Sequence, residues 1–450
     1  MKLKKFLAYI CVIALCASCL WTLSACNNQP EKEGPWAVNS ALAPANGVWR
    51  DYEAEAKLNY YDADGNLDPD MDRMGLWWVE WDDDDADLHW VCADSDEGAS
   101  MVDVNKPTAI FVHGVLITMT HTGPEGYWVS EKKMPPSDFG IEDRDEINML
   151  DVWLKAGYNV GVFSYHRFAN ESSFELWAAG SPALIESKVW GINGDAGMRY
   201  RKGNDTWSKK NAYDFSIAEL FVGEYMRGLK RLPARLGEKE IQIVGHSMGG
   251  EVVTAGTFLI TQMILAGRLP ERLRPSRLSL LDAYFGVMAE NDAGKLLLNM
   301  SKPDTIIKWS GKTFIDGSPG KTMLACLDAI SRYGTVIEYY SYPSSALMNG
   351  SLNVQQQVRA LCVYVELVLR YITDSELEWH NGVREYYMMS IMPDMKPTLL
   401  DGGYAPCASM PTEQILALKG KQFEPVGGKN TMSTSVFTPV MSDDVYVERR

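Results

Sequence analysis

The chain has 450 residues, of which 46% are hydrophobic, 23% are charged and 37 are glycine. These proportions fit a folded globular protein and exclude a disordered, collagen-like or short-repeat chain. The formal charge of −16 argues against nucleic acid as a partner and against purely electrostatic docking on anionic lipid, because both need clustered Lys and Arg.

The chain opens Met1-Lys2-Leu3-Lys4-Lys5 and continues with an uncharged, mostly apolar run from Phe6 to Ala25. A basic start followed by such a run reads as a secretory signal over residues 1–25. It ends in Leu23-Ser24-Ala25-Cys26, which resembles the lipobox of bacterial lipoproteins. That resemblance implies cleavage before Cys26 and a diacylglyceryl group on its thiol, hence a lipid anchor in the cell membrane with the body on the extracytoplasmic face. Two acyl chains bury enough methylenes for stable anchoring. Loss of Lys2, Lys4 and Lys5 with the signal would take the formal charge from −16 to −19. Cys92, Cys326, Cys362 and Cys407 would remain as thiols in the body; their wide spacing excludes a zinc motif and leaves one or two disulfides open.

Residues 26–47, with Pro30, Pro35 and Pro44, read as a membrane-proximal linker. Residues 48–105 read as short aromatic-rich strands, with a hairpin turn at Asp62-Ala63-Asp64-Gly65-Asn66 and a solvated loop at Asp82-Asp83-Asp84-Asp85. The core over 106–395 has another rhythm. Strands are expected at Thr108–Val115, Asn159–Tyr165, Glu240–Gly245, Arg277–Leu281 and Thr335–Ser341. Helices are expected at Asp145–Ala156, Ala212–Leu232, Met248–Ala266, Lys321–Arg332 and, as a long apolar-faced element, Val354–Ile372. Continuous apolar strands alternating with helices predict an α/β fold, with a mostly parallel central sheet and helices on both faces. Residues 167–211 break the rhythm and read as a cap insertion; its Phe168, Phe174, Trp177 and Trp190 suit either an acyl pocket or plain packing of the cap onto the core. Residues 396–450 show no clear periodicity and form a C-terminal extension of unknown fold.

The strand ending at Val244 runs into Gly245-His246-Ser247-Met248-Gly249-Gly250 and then an apolar helix. This is G-x-S-x-G in the strand–turn–helix setting that lifts a serine hydroxyl off a sheet, with glycines where the two backbones pass closely. Ser247 is therefore the candidate nucleophile. A serine needs a base, and His380 is the sole histidine after Ser247. It is placed in a loop at the start of a helix, in Trp379-His380-Asn381-Gly382. Asp282, at the tip of the strand after the elbow, is the candidate acid; Asp316 is the alternative. A tetrahedral intermediate needs two backbone N–H donors: the amide of Met248 is one, and Val115, after His113-Gly114, is the second by position. His113 is assigned to bracing its own loop. No Gly-rich phosphate loop, dinucleotide fingerprint or metal motif occurs, so neither cofactor nor metal is expected.

Together, His113-Gly114-Val115, Gly245-His246-Ser247-Met248-Gly249-Gly250, Leu280-Leu281-Asp282 and the segment around His380 resemble the α/β-hydrolase superfamily, over about residues 106–395. The resemblance is closest to its lipase and esterase branch, with the acid placed as in pancreatic-lipase-type enzymes. It implies the α/β-hydrolase fold and a serine hydrolase that cleaves acyl esters or lipids. A peptidase or amidase on the same triad, or a surface-binding lipoprotein without turnover, are the alternatives.

Overall fold

The computed structural model describes residues 50–449 outside 83–86, 116–123, 131–146, 170–184, 192–197, 204–205, 234–239, 287–305, 308–311, 314–318, 343–351, 370–375 and 428–443 and a few single positions. Cys26, Asp316, Phe174 and Trp177, together with the signal and linker segments, lie outside the described residues.

Eleven strands form one sheet among the described residues: β1 (Gly75–Asp82), β2 (Asp87–Cys92), β3 (Thr108–Val112), β4 (Asn159–Ser164), β5 (Ile241–His246), β6 (Arg277–Leu281), β7 (Val336–Ser341), β8 (Val363–Glu366), β9 (Thr398–Leu399), β10 (Gln422–Gly427) and β11 (Val445–Arg449). Their spatial order is β9-β11-β10-β8-β7-β6-β5-β3-β4-β1-β2. From β4 across to β10 the strands are parallel, as expected for apolar runs whose two faces are both covered. The β1–β2 hairpin adds antiparallel to β4, and β11 runs antiparallel to β10. The sheet, its helical cover and the strand–elbow–helix unit described below make this an α/β-hydrolase fold.

Helices α2 (Ile217–Lys230), α3 (Gly249–Leu265), α4 (Pro319–Arg332) and α5 (Leu352–Leu361) pack together over one face. Helices α1 (Met149–Lys155) and α6 (Glu376–Met389) cover the other, where Phe111, Val162, Val244 and Val365 of the sheet meet Leu150, Trp153, Val383 and Tyr387 in one buried cluster. The start of α2 is fixed by a capping box: Ser216 Oγ accepts from the Glu219 amide and Glu219 Oε2 from the Ser216 amide.

Two expectations are corrected and one open alternative, the state of the cysteines, is decided. Val354–Ile372 is not one helix. Helix α5 stops at Leu361, and Val363-Tyr364-Val365-Glu366 turns into strand β8 beside β7. Valine and tyrosine favour a half-buried pleat, and pairing to β7 and β10 outweighs the helical spacing. The four described cysteines, Cys92, Cys326, Cys362 and Cys407, form no disulfide. The second correction is that His380 lies inside α6, in its second turn, rather than in a loop ahead of it. The turn at Asp62 matches the reading: Tyr61 bridges Leu67, and Asp62 Oδ1 accepts from the amides of Asp64 and Asn66.

Residues 396–450 supply β9, β10 and β11 to the main sheet, and Arg277, at the first position of β6, ties them down. Its guanidinium is fully buried and pairs in a fork with Glu338 of β7, at 2.9 and 2.8 Å. Its remaining N–H groups donate to the carbonyls of Cys407 (3.0 Å), Met410 (2.7 Å) and Ala408 (3.4 Å). Glu338 also accepts from Ser279, Tyr340 and Tyr387, so every charge in this buried cluster is answered.

Candidate active site

Strand β5 ends at His246, Ser247 turns, and α3 begins at Gly249. Ser247 has φ of 57°, in the left-handed region that a side chain rarely occupies. Three hydrogen bonds hold it there: its amide donates to Leu281 O (3.0 Å), and its carbonyl accepts from Gly250 (2.9 Å) and Tyr284 (3.0 Å). The turn is possible because the neighbouring positions lack side chains. A Cβ on Gly249 would lie 2.4 Å from the Val112 carbonyl oxygen and 2.5 Å from that of His113, and one on Gly245 would lie 2.6 Å from Gly249 O. Helix and strand can only pass this closely with glycine at both places.

Asp282 stands one residue beyond β6 and also has a positive φ, 42°. Its amide donates to Tyr340 O (2.7 Å), and Oδ1 accepts from the Tyr342 amide (3.2 Å). Oδ2 lies 2.6 Å from His380 Nδ1, with both side chains buried. A carboxylate only accepts, so His380 carries a proton on Nδ1, the tautomer whose neutral ring has its lone pair on Nε2. Among the described residues no hydrogen bond engages His380 Nε2 or the half-buried Ser247 hydroxyl. The structure thus joins Asp282 to His380 and places Ser247, by its 3.0 Å bond to Leu281, on the residue preceding that acid.

Met248 follows Ser247 within the elbow, and Val115 follows Gly114 in the loop after β3. Neither amide donates to another group among the described residues. Gly114 is pressed against the serine: a Cβ there would lie 2.6 Å from Ser247 Cβ and 3.1 Å from its Oγ. The Gly114 amide is taken by Tyr127 Oη, at 2.9 Å, and so is not an open donor.

His113 braces this loop, as expected. Its Nδ1 faces Gly114 O at 2.7 Å, its Nε2 accepts from the Tyr165 amide at 3.0 Å, and its ring stacks on Tyr165 at 4.4 Å. Tyr165 Oη in turn donates to His113 O (2.8 Å). Full burial pushes the His113 pKa down to about 4, so it stays neutral.

Three contributors were not foreseen. Tyr127, from a short 3₁₀ turn at Pro124–Trp128, hydrogen-bonds His246 Nδ1, and His246 Nε2 lies 3.0 Å from the His380 carbonyl oxygen. Burial, followed by the neighbouring His380 and Arg384, holds His246 well below the usual histidine range. Behind the elbow, Glu251 of α3 accepts from Trp190 Nε1 (2.8 Å) and Gly286 N (3.2 Å) and sits beside Glu186. Burial pushes Glu251 up to about 7 and, with Glu251 as neighbour, pushes Glu186 well above the carboxylate range. Of the cap aromatics, Phe168 and Trp190 are fully buried, which fits packing of the cap onto the core. No cluster of three His, Cys, Asp or Glu that could hold a metal ion occurs among the described residues.

No protein-family model and no curated protein matches the chain. Solved structures do. A lipase-esterase related protein from Clostridium acetobutylicum is 13% identical, with a TM-score of 0.23, covering 57% of this chain and 82% of that one. A lipase/esterase from Lactobacillus plantarum is 9% identical, with a TM-score of 0.26, covering 56% and 70%.

Proposed function

We propose that the chain is a serine hydrolase that cleaves carboxylic esters, of the lipase or esterase kind, through an acyl-enzyme. The observation that carries this is the 2.6 Å Asp282–His380 bond beside a serine held at a positive φ on a strand–helix elbow. In this reading His380 Nε2 takes the proton of Ser247 Oγ as that oxygen attacks the acyl carbonyl. The negative charge on the tetrahedral oxygen is met by the amides of Met248 and Val115. Collapse expels the alcohol, which takes the proton from His380. Water then enters and loses a proton to His380 as its oxygen attacks the acyl carbon; collapse expels Ser247 Oγ, which takes that proton back from His380, and the acid is released. Asp282 holds the imidazole in the tautomer this requires and stabilises its charged form.

The lipobox-like end of the first segment supports an enzyme anchored through lipidated Cys26 on the extracytoplasmic face of a membrane, acting on acyl esters or lipids. Among the described residues no helix is long and apolar enough to cross a membrane. The test is a p-nitrophenyl ester series from acetate to palmitate, with fluorophosphonate labelling, on protein lacking residues 1–26. Ester turnover and labelling that both vanish in Ser247→Ala, with the far-UV spectrum intact, are expected. Labelling of Ser247 without turnover of any ester would redirect the reading to amides or peptides. Full turnover in Ser247→Ala would end it.

A further inference from the structure

We propose that Tyr127 and His246 are positioning residues that couple the loop beside the nucleophile to the backbone of the catalytic base. The inference rests on the serine-hydrolase reading above. Four groups stand in one chain: Gly114 N, Tyr127 Oη, His246 and the His380 carbonyl. Its two ends have fixed roles. The Gly114 amide can only donate, and the His380 carbonyl can only accept. His246 Nε2 must therefore carry a proton. With its ring neutral, Nδ1 is bare and must accept, so the single Tyr127 O–H points at it. Tyr127 Oη then receives the Gly114 N–H on a lone pair. Every donor has one acceptor, and one orientation satisfies all four groups.

Each link touches the machinery. Gly114 precedes Val115 and lies against Ser247; His246 precedes Ser247; His380 is the base. His246 also packs its ring against that of His380, with centroids 4.5 Å apart. Tyr127 is fixed from outside the chain by Trp128, at 5.0 Å in an edge contact, and by the Arg384 guanidinium, 4.4 Å from its ring centre. Tyr127, His246 and Arg384 are all buried, so water cannot readily replace a missing link. A single hydroxyl thus sets where Gly114 sits and, through His246, where the carbonyl of His380 sits.

The test combines three variants with a spectrum of the intact enzyme. Tyr127→Phe keeps the ring contacts and removes only the hydroxyl. It should lower kcat for p-nitrophenyl acetate and the fluorophosphonate labelling rate by the same factor, about 10–100-fold, with KM within about twofold. His246→Gln can keep a donor where Nε2 stood and should retain kcat within about fivefold, whereas His246→Asn, too short to reach the His380 carbonyl, should lose about as much as Tyr127→Phe. In the wild type, imidazole ¹⁵N spectra should show His246 as the Nε2–H tautomer. Wild-type kcat in Tyr127→Phe, equal losses in the Gln and Asn variants, or an Nδ1–H tautomer would each overturn the coupling while leaving the hydrolase reading in place. A wild type that neither labels at Ser247 nor turns over any ester would overturn both.

Discussion

Arg277→Met should destabilise the protein strongly while leaving each folded molecule as active as before. Arg277 is buried at the opening residue of β6, whereas Asp282 stands past the other end of the same strand, about 16 Å away at about 3.3 Å per residue. Removing the guanidinium leaves Glu338 as a buried charge without its cation, which costs about 3–5 kcal/mol. The carbonyls of Cys407 and Met410 lose their donors as well, at about 1 kcal/mol each. Methionine refills much of the volume but offers no donor. The expected loss is therefore about 5 kcal/mol, read as a lower urea midpoint and as a fall in Tm of about 6 °C for a body of this size. The specific activity of protein that remains folded at 20 °C should match the wild type. Adding Glu338→Gln, which keeps the shape and the acceptor for Ser279 and Tyr387 but removes the charge, should recover about 2 kcal/mol. A single variant within 1 kcal/mol of wild type, or a double variant no better than the single, would refute the assignment of this cluster as the tie between sheet and C-terminal segment.

Asp282→Asn should lower kcat by about 10⁴-fold, because an amide no longer enforces the proton on His380 Nδ1; a loss under tenfold in ester turnover would count against Asp282 as the orienting acid. Gly249→Ala should fail to fold or lose more than 3 kcal/mol, because its Cβ would sit 2.4 Å from a backbone carbonyl that β3 cannot move; a soluble, fully active variant on gel filtration would contradict the close approach. The Glu186–Glu251 pair predicts a stability that falls with rising pH. Glu251 has its pKa raised by burial to about 7 from an unfolded value of 4.5, so its folded form holds the proton more tightly. That contribution is fully present below about pH 4.5 and is lost as pH rises through about 7, worth about 3 kcal/mol. Urea titrations of wild type and Glu251→Gln should therefore diverge in favour of the variant between pH 4.5 and 8, and parallel curves would reject the shift.

Much of the site could be read in advance because its residues sit at strand tips. Ser247, Asp282 and the His113-Gly114 loop each follow a continuous apolar run, and such runs mark parallel strands whose carboxyl ends converge on one edge. His380 follows from chain order and scarcity; the start of its helix is legible in Ser375-Glu376-Leu377-Glu378, an S-x-x-E pattern that sets the helix ahead of His380. Strand β8 was hidden for a physical reason. Val354, Val358, Leu361 and Val365 keep a helical i, i+3/i+4 spacing across the end of α5, and only pairing with β7 and β10 decides for the strand. The C-terminal strands show no alternation because β9 is two residues long and β11 has one fully buried side chain, Tyr446. Tyr127 was invisible for another reason: its importance lies in contacts with residues 13 and 119 positions away, which no local pattern encodes.

The unpaired thiols have a practical consequence. In a chain starting after residue 26, Cys92, Cys326, Cys362 and Cys407 are the whole complement of cysteines, and three of them are fully enclosed. Burial raises all four above the ordinary thiol range, Cys92 to about 11, so little nucleophilic thiolate exists in the native protein. Folding then needs no oxidant or isomerase, and preparation under reducing conditions sacrifices no cross-link between them. The same enclosure makes the cysteines native reporters. An alkylating reagent reaches Cys326, in α4 under the elbow helix, only when that layer opens, and Cys407 only when the segment fastened by Arg277 comes away. Mass spectrometry of the two adducts over time would show whether the body opens as one unit or lets its C-terminal part go first.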